Sequence, residues 1–308
     1  MRALARGFAL MGRQGAPRRP LSAQAGGIAL MVAAIIGFTL MDATAKHLTA
    51  SYHPMQVVWW RFTGNLLIMA MLLRGAMWPA MRSHAPRLQF LRTLTQMGSV
   101  TLFFTAIQFI GLAEATAIMD LNPVLITLGA ALFLGEKVGP RRIAGIAVAL
   151  VGAMIIIRPG AGVFQPAALL PLAGAFTFAA GALLTRLTRA DSPITSVLWS
   201  ALIGTVLFSA ILPFVWTPVA AADLWAFGLL AVFGTASQYL LVRAFSTAEA
   251  GALAPFGYSG LVWAGLWGWM FFGQVPDRWT VAGAALIVGA GLYVWSREAK
   301  AARQSAEA

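Results

Sequence analysis

Two stretches at a separation of 138 residues share one plan. Leu121–Gly160 reads LNPVLITLGAALFLGEKVGPRRIAGIAVALVGAMIIIRPG. It holds an apolar segment with a proline near its start, a Gly-Glu-Lys turn, a short basic linker and a second apolar segment rich in glycine. Ala254–Gly291 reads APFGYSGLVWAGLWGWMFFGQVPDRWTVAGAALIVGAG. Sliding one onto the other places Leu134, Gly135 and Glu136 on Phe272, Gly273 and Gln274, and Gly145 on Gly283. A hairpin that returns at about half the chain length marks two homologous halves.

Only 10% of the residues are charged and 59% are hydrophobic. A soluble domain carries roughly 25% charged residues, so this chain cannot cover a water-facing surface. It reads as an all-α polytopic membrane protein. A spanning helix needs about 20 mostly apolar residues, and ten candidates fit: 26–48, 55–74, 91–113, 115–135, 141–158, 166–188, 196–214, 223–246, 251–272 and 279–296. Residues 1–25 form a basic tail, 26–158 the first repeat, 159–297 the second, and 298–308 a C-terminal tail.

Loop charge sets the orientation. With the N-terminus taken as cytoplasmic, only Lys46, Arg158 and Arg278 fall on the outer side, and Arg61 lies within a span. The other 18 of the 22 basic residues fall on the cytoplasmic side. Both termini are therefore expected in the cytoplasm. Five helices per half is an odd number, so the second half is inverted relative to the first. The basic linker GEKVGPRR becomes GQVPDRW in the second hairpin, as a move to the outer side requires.

These repeats resemble the EamA branch of the drug/metabolite transporter superfamily. That resemblance covers about 26–297 and implies ten transmembrane helices as two inverted five-helix EamA repeats. Gln274 departs from the family pattern, which has Glu at that place. The stretches MDATAKHL, WWRF and APFGYSGLVWAGLWGW further resemble a bacterial subgroup that contains riboflavin and S-adenosylmethionine uptake carriers. Inverted repeats also imply a mechanism: two bundles of opposite orientation exchange conformations, and one central site opens to each side in turn.

Charges within spans are costly and are candidates for function. Asp42 and Lys46 sit one turn apart on the first span; Arg61 and Asn65 do so on the second. Asp120 and Asn122 precede Pro123. Asp42, Arg61 and Asp120 each lie about 7–10 Å from the outer end of their spans, a depth at which they can meet. An Asp42–Arg61 pair either ties the first two helices together or serves as a gate or substrate contact. In the second half Trp60 has a counterpart in Trp199, whereas Asp42 and Arg61 fall on Ala182 and Ser200. Gln96, Gln238 and Tyr239 add polar groups within spans. Tyr258, Trp263 and Trp267 form an aromatic set suited either to stacking a planar ring or to helix packing.

His47, His53 and His84 lie at span ends or in linkers, there is no cysteine, and no HExxH or phosphate loop occurs. That pattern argues against an enzyme, a metal site, a bound cofactor and ATP coupling. Expected partners are a small-molecule substrate and the lipid bilayer, not nucleic acid; a homodimer stays open. The expected function is secondary transport across the cell inner membrane, with riboflavin uptake first. S-adenosylmethionine uptake and amino-acid or metabolite export follow, and a non-transporting scaffold subunit is the other class. A single cysteine placed at Pro276 of this cysteine-free chain should react with a membrane-impermeant maleimide in intact cells. Labelling only after permeabilisation would overturn the inverted topology.

Overall fold

The computed structural model describes residues 21–134, 140–158, 165–188, 190–248 and 250–307. Residues 1–20 of the basic tail and the Gly-Glu-Lys turn at 135–137 lie outside the described residues. Twelve helices carry the bundle: α1 (Leu21–Thr49), α2 (Pro54–Leu73), α3 (Pro86–Phe109), α4 (Leu112–Met119), α5 (Asn122–Leu134), α6 (Pro140–Ile157), α7 (Leu169–Leu187), α8 (Pro193–Val215), α9 (Leu224–Thr247), α10 (Ala250–Gly257), α11 (Ser259–Phe272) and α12 (Arg278–Glu307). Four of them, α2, α3, α6 and α8, begin on proline, whose missing N–H costs nothing in the first helical turn.

Seven helical stretches among the described residues are long and apolar enough to cross a membrane, from Ala25–Thr49 to Arg278–Ser296. Large apolar side chains on the outside, such as Leu72, Phe133, Phe214 and Val262, suit lipid and not water. The chain is a multi-pass membrane protein. Helix α3 is absent from the seven because Gln89, Arg92, Thr93, Gln96 and Ser99 dilute its hydropathy. Each of those residues is at least partly buried, so the polarity faces inward.

The expected spans at 115–135 and 251–272 are each broken in two. The first short piece is Leu112–Met119 and the second is Ala250–Gly257, eight residues each and again 138 apart. The C-terminal tail also differs from a plain tail, because α12 runs on to Glu307. Its last turns, REAKAARQSAE, are rich in strong helix formers.

The principal packings join one half to the other. Helix α1 lies antiparallel to α9, and its repeat counterpart α7 lies antiparallel to α3. Helices α2 and α8 pair, as do α6 and α12, each with its own counterpart. The halves interdigitate and share their cores.

Small residues make this possible. Lipid gives helices no hydrophobic drive to associate, so close backbone approach does the work. Gly27 lies against Ala248 and Gly37 against Ser237 along α1 and α9. Between α6 and α12, a Cβ on Gly283 would stand 2.5 Å from the Gly152 carbonyl oxygen. Gly283→Ala should therefore lower stability by about 1–3 kcal/mol, read as a fall in melting temperature in detergent. Gly228→Ala, where a Cβ meets nothing within 4 Å, is the control and should leave it unchanged. Equal melting of both variants would show that the α6–α12 contact tolerates separation.

Candidate functional site

Three helices each present polar groups one turn apart to a common space, and a fourth adds one more. Helix α2 supplies Arg61 and Asn65, α3 supplies Arg92 and Gln96, α8 supplies Ser196 and Ser200, and α9 supplies Gln238 beside Gly234. They line a cavity of about 400 Å³ that extends to Thr188 and Asp191 in the linker between α7 and α8. Its size falls in the range of small-molecule sites, roughly 300–1,000 Å³.

The two arginines differ in their engagement. The Arg92 guanidinium donates to Gln89 Oε1 at 3.1 Å, to the Ser196 carbonyl at 2.5 Å and to Ser200 Oγ at 2.8 Å. Ser200 in turn donates to Gln96 Oε1 at 2.8 Å. Arg61 lies over the rings of Phe104 and Phe62, 5.7 and 6.0 Å from their centroids. Asp42 acts on it through space, but no ion pair within 4.0 Å joins them among the described residues. Among those residues the Arg61 guanidinium makes no hydrogen bond, so its fork of donors faces the cavity unengaged.

One end of the bundle is closed above Arg61. The Tyr52 hydroxyl donates to Asp223 at 2.6 Å and accepts from the Ala220 N–H at 3.0 Å. Gln56 exchanges two 2.8 Å hydrogen bonds with the Thr217 backbone. Trp60 packs edge-on to Trp59 and tilted on Phe227, with centroids 5.2 Å apart in each case. Lys46 Nζ donates to the carbonyls of Ile107 and, at 2.8 Å, Ile110. Lys46 thus closes the last turn of α3 and does not line the cavity.

The opposite end carries the repeat counterpart of this closure. Asp191 accepts from Ser83 Oγ, from the His84 N–H at 2.7 Å and from Gln89 Nε2 at 2.8 Å, and its Oδ1 pairs with His84 Nδ1 at 3.0 Å. Partial burial pushes the Asp191 carboxyl up, but the donors Gln89, Ser83 and His84 outweigh it and hold the group well below the ordinary carboxylate range. Trp199 Nε1 reaches the Met81 carbonyl at 2.9 Å in the same latch.

Of the residues singled out in the sequence, Arg61, Asn65, Gln96 and Gln238 come together in the cavity, with Asp42 near Arg61. Asp120, Asn122 and Tyr258 stand at the breaks of the two divided helices. Asp120, expected at a depth where it can meet Arg61, stands instead at the break within electrostatic reach of Tyr258. Trp263 stacks on Trp267, which stacks on Phe271, and Trp267 Nε1 donates to Thr39 at 3.1 Å. This aromatic column packs against α1 and lies outside the cavity. Tyr239 is 61% exposed on the outer surface. Arg92, Ser196, Ser200 and Asp191 were missed. Arg92 falls among the 18 basic residues assigned to the cytoplasmic side by charge alone. Paired polar residues one turn apart on α3 and α8 were the signal available. Among the described residues no group of His, Asp and Glu could hold a metal ion.

The EamA-like transporter family matches residues 25–158 and 165–296, one match per half. The chain belongs to the EamA-like transporter family. It is 32% identical over 280 residues to a riboflavin transporter of Rhizobium johnstonii, covering 90% of this chain and 93% of that one. It is 32% identical to a pseudopaline exporter of Pseudomonas aeruginosa, covering 85% and 93%. An S-adenosylmethionine uptake transporter of Rickettsia bellii is 25% identical, covering 89% and 95%. A crystal structure at 20% identity shares the fold with a TM-score of 0.59, covering 89% of this chain and 95% of that one. In this EamA-like chain the repeats build one cavity with a latch at each end.

The Asp191 carboxylate sits below its unfolded value, so its support of the latch is present above about pH 4 and is lost as pH falls below it. Asp191→Ala should loosen the latch at neutral pH. A cysteine at Val197, on the cavity wall, should then react several-fold faster with a maleimide in detergent. An unchanged rate would show that this latch does not control entry.

Proposed function

We propose that the chain is a secondary carrier of the cell inner membrane, with ten transmembrane helices as two inverted five-helix repeats, both termini cytoplasmic, and riboflavin uptake as its activity. On this reading each divided helix pair, α4–α5 and α10–α11, counts as one span. The cavity then faces the cytoplasm through the Asp191 latch, and the Tyr52 end is the closed outer side. Repacking α1 and α2 against α7 and α8 about the pseudo-two-fold axis would open the other end, since each latch has its counterpart there.

The observation that carries the substrate class is the unengaged Arg61 guanidinium in a cavity whose other charged groups, Arg92 and Asp191, are held by protein partners, beside the amides of Asn65, Gln96 and Gln238 and several hydroxyls. Asn65, Gln96 and Gln238 can each donate and accept, which suits a neutral ring system edged with carbonyls and N–H groups. The Trp263–Trp267 column, first expected to stack a planar ring, lies elsewhere, and Phe62 on the cavity wall is itself buried against Phe208 and Gly204. The riboflavin transporter likeness supports this choice. S-adenosylmethionine carries a sulfonium, which the Arg61 charge opposes; Asp42 is the group that would favour it. Export of a carboxylate-bearing metabolite would use Arg61 directly. The bilayer and a small molecule are the partners proposed; a scaffold role gives no use to a polar cavity of this size.

Proteoliposomes holding the purified chain should take up labelled riboflavin. Arg61→Ala should weaken uptake about ten- to hundredfold, as loss of a charged hydrogen bond worth roughly 1.5–3 kcal/mol requires, with expression kept. Uptake of labelled S-adenosylmethionine instead, abolished by Asp42→Ala, would replace riboflavin as the substrate. Transport of neither, with the protein folded, would remove the uptake reading.

A further inference from the structure

A groove runs along the outside of the bundle between α8 and α9, where α2 packs on both. Met69 and Leu72 of α2, Ile194 of α8, and Val232, Ala236 and Val242 of α9 line a space of about 470 Å³. Leu72, Ile194, Val232 and Ala236 are exposed, so the groove opens on the surface that faces lipid. Asn65, Pro193, Val197 and Gln238 line both this groove and the Arg61 cavity, so a single layer of side chains parts the two spaces.

Contacts fix the register of the three helices. Trp60 packs on Phe227 with centroids 5.2 Å apart, a Cβ on Gly64 would stand 2.4 Å from the Ala231 Cβ, and Thr235 Oγ1 donates to Asn65 Oδ1 at 3.3 Å. Helices α2 and α9 therefore run the same way, and the same offset brings Arg74 level with Arg243. Helix α8 runs against them: Trp59 Nε1 donates to Ser209 Oγ at 2.8 Å, and Phe62 lies against Gly204. That register brings Ile194 to the level of Arg74. Both arginines are exposed, at one end of the groove. Arg243 stands one turn beyond the groove residue Tyr239, on the same face of α9. Adjacent helices pack about 8–10 Å apart, so two guanidiniums at one level can reach one anion between them.

From Arg243 back to Val232 the groove follows α9 for about 16 Å, at about 1.5 Å per residue. One leaflet of the hydrocarbon core is half of roughly 30 Å. An apolar groove of one leaflet's depth, with two arginines at its mouth, complements a phospholipid: the acyl chain fills the groove and the phosphate meets the guanidiniums. Two positive charges favour a headgroup of net negative charge. The geometry points to a seat for one anionic phospholipid between α8 and α9, with its phosphate at Arg74 and Arg243. On the proposed topology that lipid belongs to the cytoplasmic leaflet. Its chain backs the Val197 and Gln238 wall of the Arg61 cavity. The site stands on its own residues, whatever substrate the cavity carries.

The test is native mass spectrometry of the purified full chain in detergent, without substrate, as phosphatidylglycerol or phosphatidylcholine with the same acyl chains is titrated in. The wild type should hold one phosphatidylglycerol several-fold more tightly than phosphatidylcholine. Arg74→Gln with Arg243→Gln should remove that preference. Ala236→Trp, which fills the groove from an exposed position, should weaken phosphatidylglycerol binding several-fold, and it decides the matter if the arginine variant does not fold. Equal binding of the two lipids by the wild type would overturn the site. So would a preference that survives loss of both arginines, or binding that ignores Ala236→Trp. Displacement of the lipid by an equal concentration of glycerol 3-phosphate would overturn it too, since the ligand would then be a free phosphate and the groove would play no part.

Discussion

Lipid offers no hydrogen bonds, so each polar group within the bundle has to meet protein or an internal space. That constraint explains where this chain keeps its polarity. The polar residues of α3 point at α8 and at the cavity, where Arg92 is held by Ser196 and Ser200. Hydroxyls that lack a partner across the bundle turn back on their own helix, as Thr44 does to Leu40 and Thr105 to Thr101. Arg61 is the exception within the cavity. It is held by two aromatic faces and by a carboxylate at a distance, an arrangement that leaves its donors free for a guest.

The matched packing of the two halves and the departures from it divide the labour. Backbone contacts obey the symmetry: α1 meets α9 as α7 meets α3, through glycines and alanines that admit close approach. The latches obey it in position and differ in chemistry. The Tyr52 end is tied by a hydroxyl to Asp223 and by the Gln56 amide, while the Asp191 end gathers several donors on one carboxylate. Charges inside the bundle do not obey it at all, since Ala182, Ser200 and Tyr258 replace Asp42, Arg61 and Asp120. A symmetric scaffold permits two mirrored conformations, and asymmetric charges give a single polar guest one place to bind.

The helical class, the repeat and the family were readable from residue order, because each depends on period, length and hydropathy, which are local properties. So were four of the fourteen residues that line the cavity: Arg61, Asn65, Gln96 and Gln238 are polar residues in apolar runs, and such residues have to face inward. Tertiary packing alone settled which inward-facing residues share one space. Depth along a span does not specify which way round its helix a side chain points, so Asp120 could be expected beside Arg61, whereas at the break before Pro123 it lies within electrostatic reach of Tyr258. Lys46 looked like a free charge because the carbonyls it meets, at the end of α3, lie some sixty residues away in the chain. Arg92 becomes a cavity wall only where α3 meets α8, and Asp191 a latch only where two linkers over a hundred residues apart meet.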